Sequence, residues 1–350
     1  MIREIERHLI NQDLSIKEAL IKLNALASDA ILFVVNSKNQ LLGSLTDGDV
    51  RRGLIKGITI DSKVKEVIQS YPKFIRKGNY DLQEVVNFRD KNLRIIPVLS
   101  SMDDTIVNII NFRIHRSYIP VDAVIMAGGK GTRLRPLTLN TPKPLLKVGD
   151  KPIMEHNLDR LSVYGIDDFH ISVNYFGEQL VDYFGNGEHK NINIDYIWEK
   201  EPLGTIGALA SIGSIQHDYV LVTNSDLLTN LDYESFFMDF ITKDADLSVV
   251  TIPYKVDIPY AVLETSDDRV VNFKEKPTYT YYSNAGIYLM KKEVLDRIPK
   301  DSFYNATDLM ESLIKSDKKV VSYPFVGYWL DVGKHEDYNK AQEDILKVKF

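Results

Sequence analysis

An apolar run ends in three glycines, Ala127-Gly128-Gly129-Lys130-Gly131-Thr132-Arg133-Leu134, and a proline-bounded excursion then returns through Pro142-Lys143-Pro144. Backbone without side chains can approach a phosphate chain closely and present N–H donors to it. The residues Val121 to Ala127 read as a buried strand carrying that loop. A Walker loop needs Ser or Thr after Gly-Lys, but Gly131 stands there, so that reading fails. A dinucleotide fingerprint needs its third glycine inside a continuous helix, where Leu134-Arg135-Pro136 sits instead. The third reading is a nucleotide-gripping loop that brings its own cations, Arg133 toward the β and γ phosphates and Lys143 on the returning segment. Gly-Gly-x-Gly taken alone is read more readily as a turn flanked by solvated arginines.

The full stretch from Gly128 to Thr138, continued by Pro142-Lys143-Pro144-Leu145-Leu146 and Lys151-Pro152-Ile153, resembles the signature of the sugar-1-phosphate nucleotidyltransferases. Glu201-Pro202-Leu203-Gly204-Thr205-Ile206-Gly207 is similar to that family's base-contacting segment, and Val222-Thr223-Asn224-Ser225-Asp226 to a strand ending in a metal-binding aspartate. Glu275-Lys276-Pro277 and Asn284-Ala285-Gly286 resemble its sugar-side motifs, and Tyr328-Trp329-Leu330-Asp331-Val332-Gly333 its closing motif. The resemblance runs from Val121 to the C-terminus. It implies a Rossmann-like (GT-A-like) mixed sheet with a sugar-binding insertion, and exchange of pyrophosphate for a sugar phosphate.

Carried over residue by residue, the resemblance implies catalytic roles for Arg133 and Lys143 and nucleotide binding by Ala127, Gly128, Gly129, Gly131, Thr132, Glu201, Gly204 and Thr205. It implies sugar-phosphate binding by Ala261, Glu275, Lys276, Asn284 and Gly286, and Mg2+ held by Asp226 and Asp331. The chemistry is coherent. Joining a sugar 1-phosphate to an α-phosphate brings two anions together, so charge must be masked and atoms aligned in line. Carboxylates, Mg2+ and lysines do that. The attacking phosphate is already a competent nucleophile, so no general base is required, and the histidines show no metal-ligand spacing. Ser225 and Ala261 depart from the family's usual glycines, which puts the sugar in question more than the reaction. The Glu-Pro-Leu-Gly-Thr form resembles guanylyltransferases more than thymidylyltransferases, and that resemblance implies guanylyl transfer from GTP to a hexose or hexosamine 1-phosphate for surface glycans. A thymidylyl or uridylyl transferase stays open. So does a non-catalytic nucleotide-sensing subunit, although a silent relative has no reason to keep Arg133, Lys143, Asp226 and Asp331 together.

The elements that must position these residues are strands alternating with helices, an α/β pattern with a largely parallel sheet. Helices are expected over Ile153–Tyr164, Thr205–Ile212, Tyr233–Ile241 and His335–Lys347, and strands over Phe169–Val173, Ile194–Trp198, Tyr219–Asn224 and Leu247–Pro253. Ahead of them lies a pattern written twice: helix, strand, turn, strand. The first copy opens on the capping box Ser15-Ile16-Lys17-Glu18 with Ala19, Leu20, Leu23 and Leu26 at helical spacing; the second has Asp81 and Glu84 in the same places. Strands follow at Ala30–Val35 and Leu41–Leu45, then at Arg94–Leu99 and Thr105–Ile110.

Gly43-Ser44-Leu45-Thr46-Asp47-Gly48-Asp49 resembles the signature of CBS domains, implying an α+β CBS pair over residues 1–117 ahead of a catalytic domain over 118–350. The resemblance implies a regulatory nucleotide with Thr46 near its phosphate and Asp49 on its ribose; Thr46 or Asp47 also reads as a helix cap. The second copy has Asn108, Asn111 and Ile114 where the signature has Gly, Thr and Asp, leaving at most one complete site.

A chain of 350 residues with 44% hydrophobic content fits two soluble domains. Its net charge of -6 argues against general nucleic-acid binding. Cysteine is absent, which excludes disulfides and thiolate metal sites. Neither a signal-peptide core nor a membrane-crossing run is visible, so a cytoplasmic protein is expected, and CBS pairs imply a homo-oligomer.

Overall fold

The computed structural model describes residues 2–348, which divide into two compact units. The first comprises the chain up to Pro120 with Leu161–Asp168 and Asn186–Asn193; the second comprises Val121–Arg160, Phe169–Gly185 and the chain from Ile194 onward.

The repeat occupies the first unit. α1 (Ile2–His8) and β1 (Leu9–Asn11) lead into α2 (Ile16–Leu26), β2 (Leu32–Val35), β3 (Leu41–Leu45) and α3 (Asp47–Ile55). β4 (Ile75–Arg76), α4 (Leu82–Asp90), β5 (Ile95–Leu99) and β6 (Ile106–Asn111) repeat the order. In each copy a leading strand lies parallel to the middle one, which pairs antiparallel with the third. The leading strands, of 3 and 2 residues, are too short to write a pattern into the sequence. Ser15 and Glu18 form the expected capping box; in the second copy Asp81 accepts from the N–H of Gln83, and the reciprocal Glu84 bond is not made. Ile16, Ala19, Leu23 and Leu26 bury one face of α2 against Leu32, Val34 and Leu45. The departures in the second copy have partners of their own. Asn108 donates to Asp167 at 2.8 Å, and Asn111 to Asp29 at 3.0 Å.

In the second unit β7 (Val121–Met126) is followed by the ribbon β8 (Lys147–Val148) and β9 (Lys151–Pro152), α5 (Ile153–Val163), β10 (Asp168–Val173), α6 (Gly177–Phe184), β11 (Asn193–Trp198) and β12 (Tyr219–Asn224). Then come β13 (Leu227–Thr229), α7 (Tyr233–Thr242), β14 (Leu247–Asp257), β15 (Val262–Ser266), β16 (Arg269–Lys274), β17 (Thr278–Lys291), α8 (Ala306–Lys315), β18 (Val320–Pro324), β19 (Trp329–Asp331) and α9 (His335–Asp344). Seven strands form one mixed sheet in the order β11-β10-β7-β12-β17-β14-β18. β10, β7 and β12 run parallel, β17 is antiparallel to β12 and to β14, and β18 is parallel to β14. Central parallel strands are covered on both faces and read as unbroken apolar runs, which is why Val121–Met126 and Tyr219–Asn224 were visible in the sequence.

The predicted helix over Thr205–Ile212 is a correction: only a 3-10 turn forms there, Gly207–Ser211. The reason is close packing. A side chain on Gly207 would meet the Ser302 carbonyl at 2.6 Å, so the segment lies flat against another backbone. β14 and β17 run on beyond the sheet as a two-stranded ribbon, and β15 and β16 form a separate hairpin; this arm is exposed almost throughout.

At the N-terminal end of β7, Asp122 is fully buried and accepts from His217 Nδ1 at 3.0 Å, His170 Nε2 at 3.3 Å and the backbone N–H of Gln216 and His217. Burial alone would raise this carboxyl, but the bonds from His170, His217 and Gln216 outweigh it and hold Asp122 well below the usual carboxylate range. A depressed carboxylate contributes stability that is complete above its unfolded value of about 4 and is lost as pH falls below that. Asp122→Ala should therefore cost about 3 kcal/mol near neutrality, the scale for orphaning partners of a buried charge. In urea titrations the gap to wild type should shrink at about pH 3.

Among the described residues no helix is long and apolar enough to cross a membrane.

Candidate active site

β7 sits between β10, reached by the crossover that includes α5, and β12, on its other side. Crossovers leave in opposite directions there, and such a switch point opens a crevice beyond the carboxyl ends of the strands. The glycine loop extends β7 into that crevice, and Asn224-Ser225-Asp226 ends β12 beside it. A cavity of about 250 Å3 lies between them, lined by Ala127, Gly129, Gly131, Thr132, Arg133, Lys143, Asn224, Ser225, Asp226 and Gly333 among others.

Each part is held in place for a local reason. Gly131 takes φ +58 and caps the 3-10 turn Thr132–Leu134, and its carbonyl accepts from Thr138 Oγ1 at 2.8 Å. A side chain there would crowd Cβ of Lys143 at 3.0 Å, so the glycine lets the returning segment pack against the loop. Leu134, Leu146, Val148, Leu228, Leu330 and Val332 form one apolar cluster that ties the loop and the segments after Lys143, Asp226 and Asp331 together. β13 pairs with β19 so that Leu227 opposes Asp331, and Val332 N–H donates to the Asp226 carbonyl at 3.0 Å. Two carboxylates distant in sequence thus become neighbours.

Lys143 is buried and its ammonium pairs with Asp226 Oδ2, with Asp331 Oδ1 at 3.8 Å. Asp226 Oδ1 and Asp331 Oδ1 are buried without a hydrogen-bond partner. Burial, reinforced by the like charge of Asp226, raises the Asp331 carboxyl to about 6 against the pull of Lys143 and Arg133. Two hard oxygens that lack hydrogen bonds, one on each member of a like-charged pair, suit a divalent cation such as Mg2+, which commonly takes one or two carboxylates and fills its sphere with water and phosphate. Among the described residues no group of three or more His, Cys, Asp or Glu is arranged to hold a metal by itself.

Arg133 is exposed at the mouth, and Gly333 leaves room for its guanidinium, which lies 3.5 Å from where a Cβ would stand. Ser225 is buried, with its N–H on the Met126 carbonyl at 3.1 Å and its φ on the negative side, so serine fits where glycine was expected. Gly286 takes φ +73 and packs on the Asn224 side chain, while Asn284 accepts from the Gly286 N–H at 2.9 Å. That brings the Asn284–Gly286 corner to the strand end lining the cavity. Gly204, at φ +81, lies against the Tyr304 carbonyl, and Thr205 Oγ1 accepts from the N–H of Ala306 at 2.9 Å, so this pair docks the loop onto the start of α8. Glu201 is exposed. Ala261, Glu275 and Lys276 lie on the exposed arm and do not line the cavity.

In the first unit Thr46 and Asp49 form a reciprocal capping box at the start of α3, and Arg52 holds the other oxygen of Asp49 at 2.5 Å. Thr46 still lines a cavity of about 480 Å3 with Asp29, Lys73 and Arg94; Asp49 does not.

Sequence reasoning missed Glu199. Its buried carboxylate accepts from Ser172 Oγ and, at 3.0 Å, from the Leu203 N–H, and its carbonyl accepts from Asn174 Nδ2 at 2.7 Å. A side chain on Gly128 would meet Glu199 Oε1 at 2.7 Å. Glu199 therefore fixes the Glu201–Thr205 loop to the end of β10, directly under the glycine loop.

The sequence model of the nucleotidyl transferase family matches residues 122–348. The chain is 34% identical over 235 residues to a mannose-1-phosphate guanylyltransferase of Mycobacterium tuberculosis, covering 65% of this chain and 65% of that protein. It thus spans less than two thirds of that relative's length. It is 32% identical to a D-glycero-alpha-D-manno-heptose 1-phosphate guanylyltransferase of Aneurinibacillus thermoaerophilus, covering 64% of this chain and 98% of that one. Among solved structures, HddC from Yersinia pseudotuberculosis complexed with GMP-PN superposes with a TM-score of 0.50 at 28% identity, covering 64% of this chain and 99% of that one.

Proposed function

The chain belongs to the nucleotidyl transferase family, and from that premise we propose that it transfers a guanylyl group from GTP to a sugar 1-phosphate, giving a GDP-sugar and pyrophosphate. The observation that carries this reading is the meeting of Lys143, Asp226 and Asp331 beside the glycine loop, with one buried oxygen of each carboxylate lacking a hydrogen bond. Likeness to guanylyltransferases acting on mannose and manno-heptose 1-phosphates supports GTP and a manno-configured sugar.

In this reaction a phosphate oxygen of the sugar 1-phosphate bonds to the α-phosphorus of the nucleotide. The bond from that phosphorus to the oxygen bridging to the β-phosphate breaks, and pyrophosphate leaves with the electron pair. The backbone of Gly128–Thr132 grips the triphosphate, while Arg133 and Lys143 stabilise charge gathering on the leaving group. Glu201, Gly204 and Thr205 are assigned to the base, and Asn284 and Gly286, at the strand end lining the cavity, to the sugar phosphate; Ala261, Glu275 and Lys276 are assigned to the sugar phosphate from the arm, outside the cavity described above. Asp226 and Asp331 would hold Mg2+, which supplies charge neutralisation across the reacting phosphates. A panel of GTP, UTP, dTTP, CTP and ATP against hexose, hexosamine and heptose 1-phosphates, read as pyrophosphate, tests this. GTP with a manno-configured phosphate should react fastest. Absence of release from every pair with Mg2+ present overturns it.

For the first unit we propose a CBS pair serving as a cytoplasmic regulatory module, supported by the two copies of one fold and by the cavity holding Thr46, Lys73 and Arg94. Because the Thr46 hydroxyl is engaged with Asp49 in the cap, the phosphates of a bound nucleotide are assigned to the cationic side chains Lys73 and Arg94. Calorimetry with ATP or GTP should show a site that Arg94→Ala weakens about tenfold, the scale for a charge-assisted hydrogen bond. No binding by wild type, or unchanged binding by the variant, would remove the proposal.

A further inference from the structure

Between Arg135 and Thr141 the chain forms neither helix nor strand, so its carbonyls find partners in side chains rather than in a ladder. Two helices supply them. From α6, Gln179 Nε2 donates to the Asn140 carbonyl at 3.1 Å; from α9, His335 Nε2 bonds the Arg135 carbonyl at 2.8 Å. A carbonyl only accepts, so that nitrogen of His335 must carry the hydrogen. Further along the same segment, Tyr338 Oη and Gln342 Nε2 both donate to the Lys147 carbonyl at 2.7 Å, and Gln342 Oε1 accepts from the Gly149 N–H at 3.0 Å. His335, Tyr338 and Gln342 are spaced i, i+3, i+7 and so share one face of α9. Ala341, and Ile345 just beyond the helix, join the apolar cluster that contains Leu134, Leu146 and Val148.

The residues that lead into α9 run Asp331-Val332-Gly333-Lys334-His335. A Cβ on Gly333 would stand 3.5, 3.6 and 3.6 Å from Nη2, Cζ and Nη1 of Arg133. Three coplanar atoms at nearly one distance mean that the flat of the guanidinium covers Gly333. Two residues on, His335 takes the carbonyl of Arg135. Positions 133 and 135 are thus matched against 333 and 335. Leu134 between them is fully buried, and the Arg135 N–H is bonded to the Thr132 carbonyl at 3.3 Å, so the turn is fixed at its centre and His335 fastens its carboxyl end.

We propose that His335 is a positioning residue for Arg133: by holding the Arg135 carbonyl it keeps the guanidinium over Gly333, in register with Asp331. The inference rests on the reaction proposed above, in which Arg133 meets charge gathering on the leaving pyrophosphate. An exposed arginine has many rotamers, and few of them bring the charge to that place. Fixing the backbone that carries it, and giving its guanidinium a surface to lie on, reduces what must be ordered when the triphosphate arrives. His335 itself touches none of the residues that line the cavity, so it acts through the turn and not on the substrate. Its bond joins one exposed side chain to the backbone, so its removal should leave the fold standing and be felt where placement of Arg133 matters.

Single-turnover pyrophosphate release with GTP, Mg2+ and the sugar 1-phosphate that reacts fastest reads the effect. His335→Ala should slow it about fivefold, the scale of one net hydrogen bond, while KM for GTP changes by less than about twofold. His335→Gln, whose amide N–H can reach the same carbonyl, should recover most of the loss, and Glu343→Ala, at an exposed position of α9, should show none. In an Arg133→Met background His335→Ala should cost nothing more, because the group it positions is gone. Amide hydrogen exchange gives a readout apart from turnover: the Leu134 and Arg135 N–H groups should exchange about fivefold faster in His335→Ala and at the wild-type rate in His335→Gln. Full activity in His335→Ala, no recovery in His335→Gln, an equal further loss in the Arg133→Met background, or unchanged exchange would each overturn the inference. A wild type that releases no pyrophosphate would instead strike the reaction assigned above, and the exchange comparison would then decide alone whether His335 holds the turn.

Discussion

Lys143→Met is expected to lower turnover about 10²-fold while leaving the chain folded, the scale for removing one preorganised charge-stabilising donor. Methionine keeps the stem that packs beside Gly131, so the substitution isolates the ammonium. That ammonium pairs with Asp226 and faces Asp331, so it has two tasks in the proposed reaction. Before substrate arrives it offsets two neighbouring carboxylates; during transfer it meets the charge developing toward pyrophosphate. Lys143→Arg should rescue poorly, because a larger planar guanidinium places its donors and charge differently from the compact ammonium shared by Asp226 and Asp331. The loss should appear in kcat more than in KM, since the charge it meets develops during bond breaking. Single-turnover pyrophosphate release at saturating GTP and Mg2+ reads this directly, and near-normal release would remove Lys143 from the chemistry.

Much of this arrangement could be read from the chain alone, for physical reasons that differ between residues. β7 and β12 announce themselves because central parallel strands are apolar on both faces, and the loop between Gly128 and Leu134 follows from glycines placed where a strand must stop. Asp226 and Asp331 are 105 positions apart, and only the ordered motifs paired them before the β13–β19 register did. Glu199 was hidden. In Glu199-Lys200-Glu201 it looks like one more solvated acid, and its burial depends on Ser172 and Leu203, which no local pattern connects to it. The segment after Gly204 misled in the other direction: Ile206, Ala208 and Leu209 are buried and spaced like a helix, yet contact with Ser302 and Tyr304 leaves room only for a tighter turn. α8, with Ala306, Leu309 and Leu313 turned inward, carried a helical period that went unread. Thr46 and Asp49 show why such a motif reads two ways in a sequence, since the residue types that would open a helix toward an anion are also those that cap it, and the capping box is what forms.

Asp226→Asn should have the largest effect, reducing Mg2+-dependent pyrophosphate release to background with the fold intact. The substitution is nearly isosteric and keeps an oxygen at the end of β12, so Leu227, Leu228 and the pairing with β19 are undisturbed. What changes is charge. Asp226 and Asp331 each leave one buried oxygen without a hydrogen bond, and Asp331 is already raised by burial and by the proximity of Asp226. An amide in place of Asp226 removes half of the anionic pair that would attract a divalent cation and leaves Lys143 to satisfy Asp331 alone. A readout apart from turnover separates this from a general loss of activity. Ligand that binds only the folded state raises its melting temperature by mass action, so Mg2+ with GTP should stabilise wild type and shift Asp226→Asn much less. Asp331→Asn should behave alike, because the two oxygens act as one site. Equal thermal shifts together with wild-type release in Asp226→Asn would defeat the metal assignment while leaving the glycine loop and Lys143 open to test on their own.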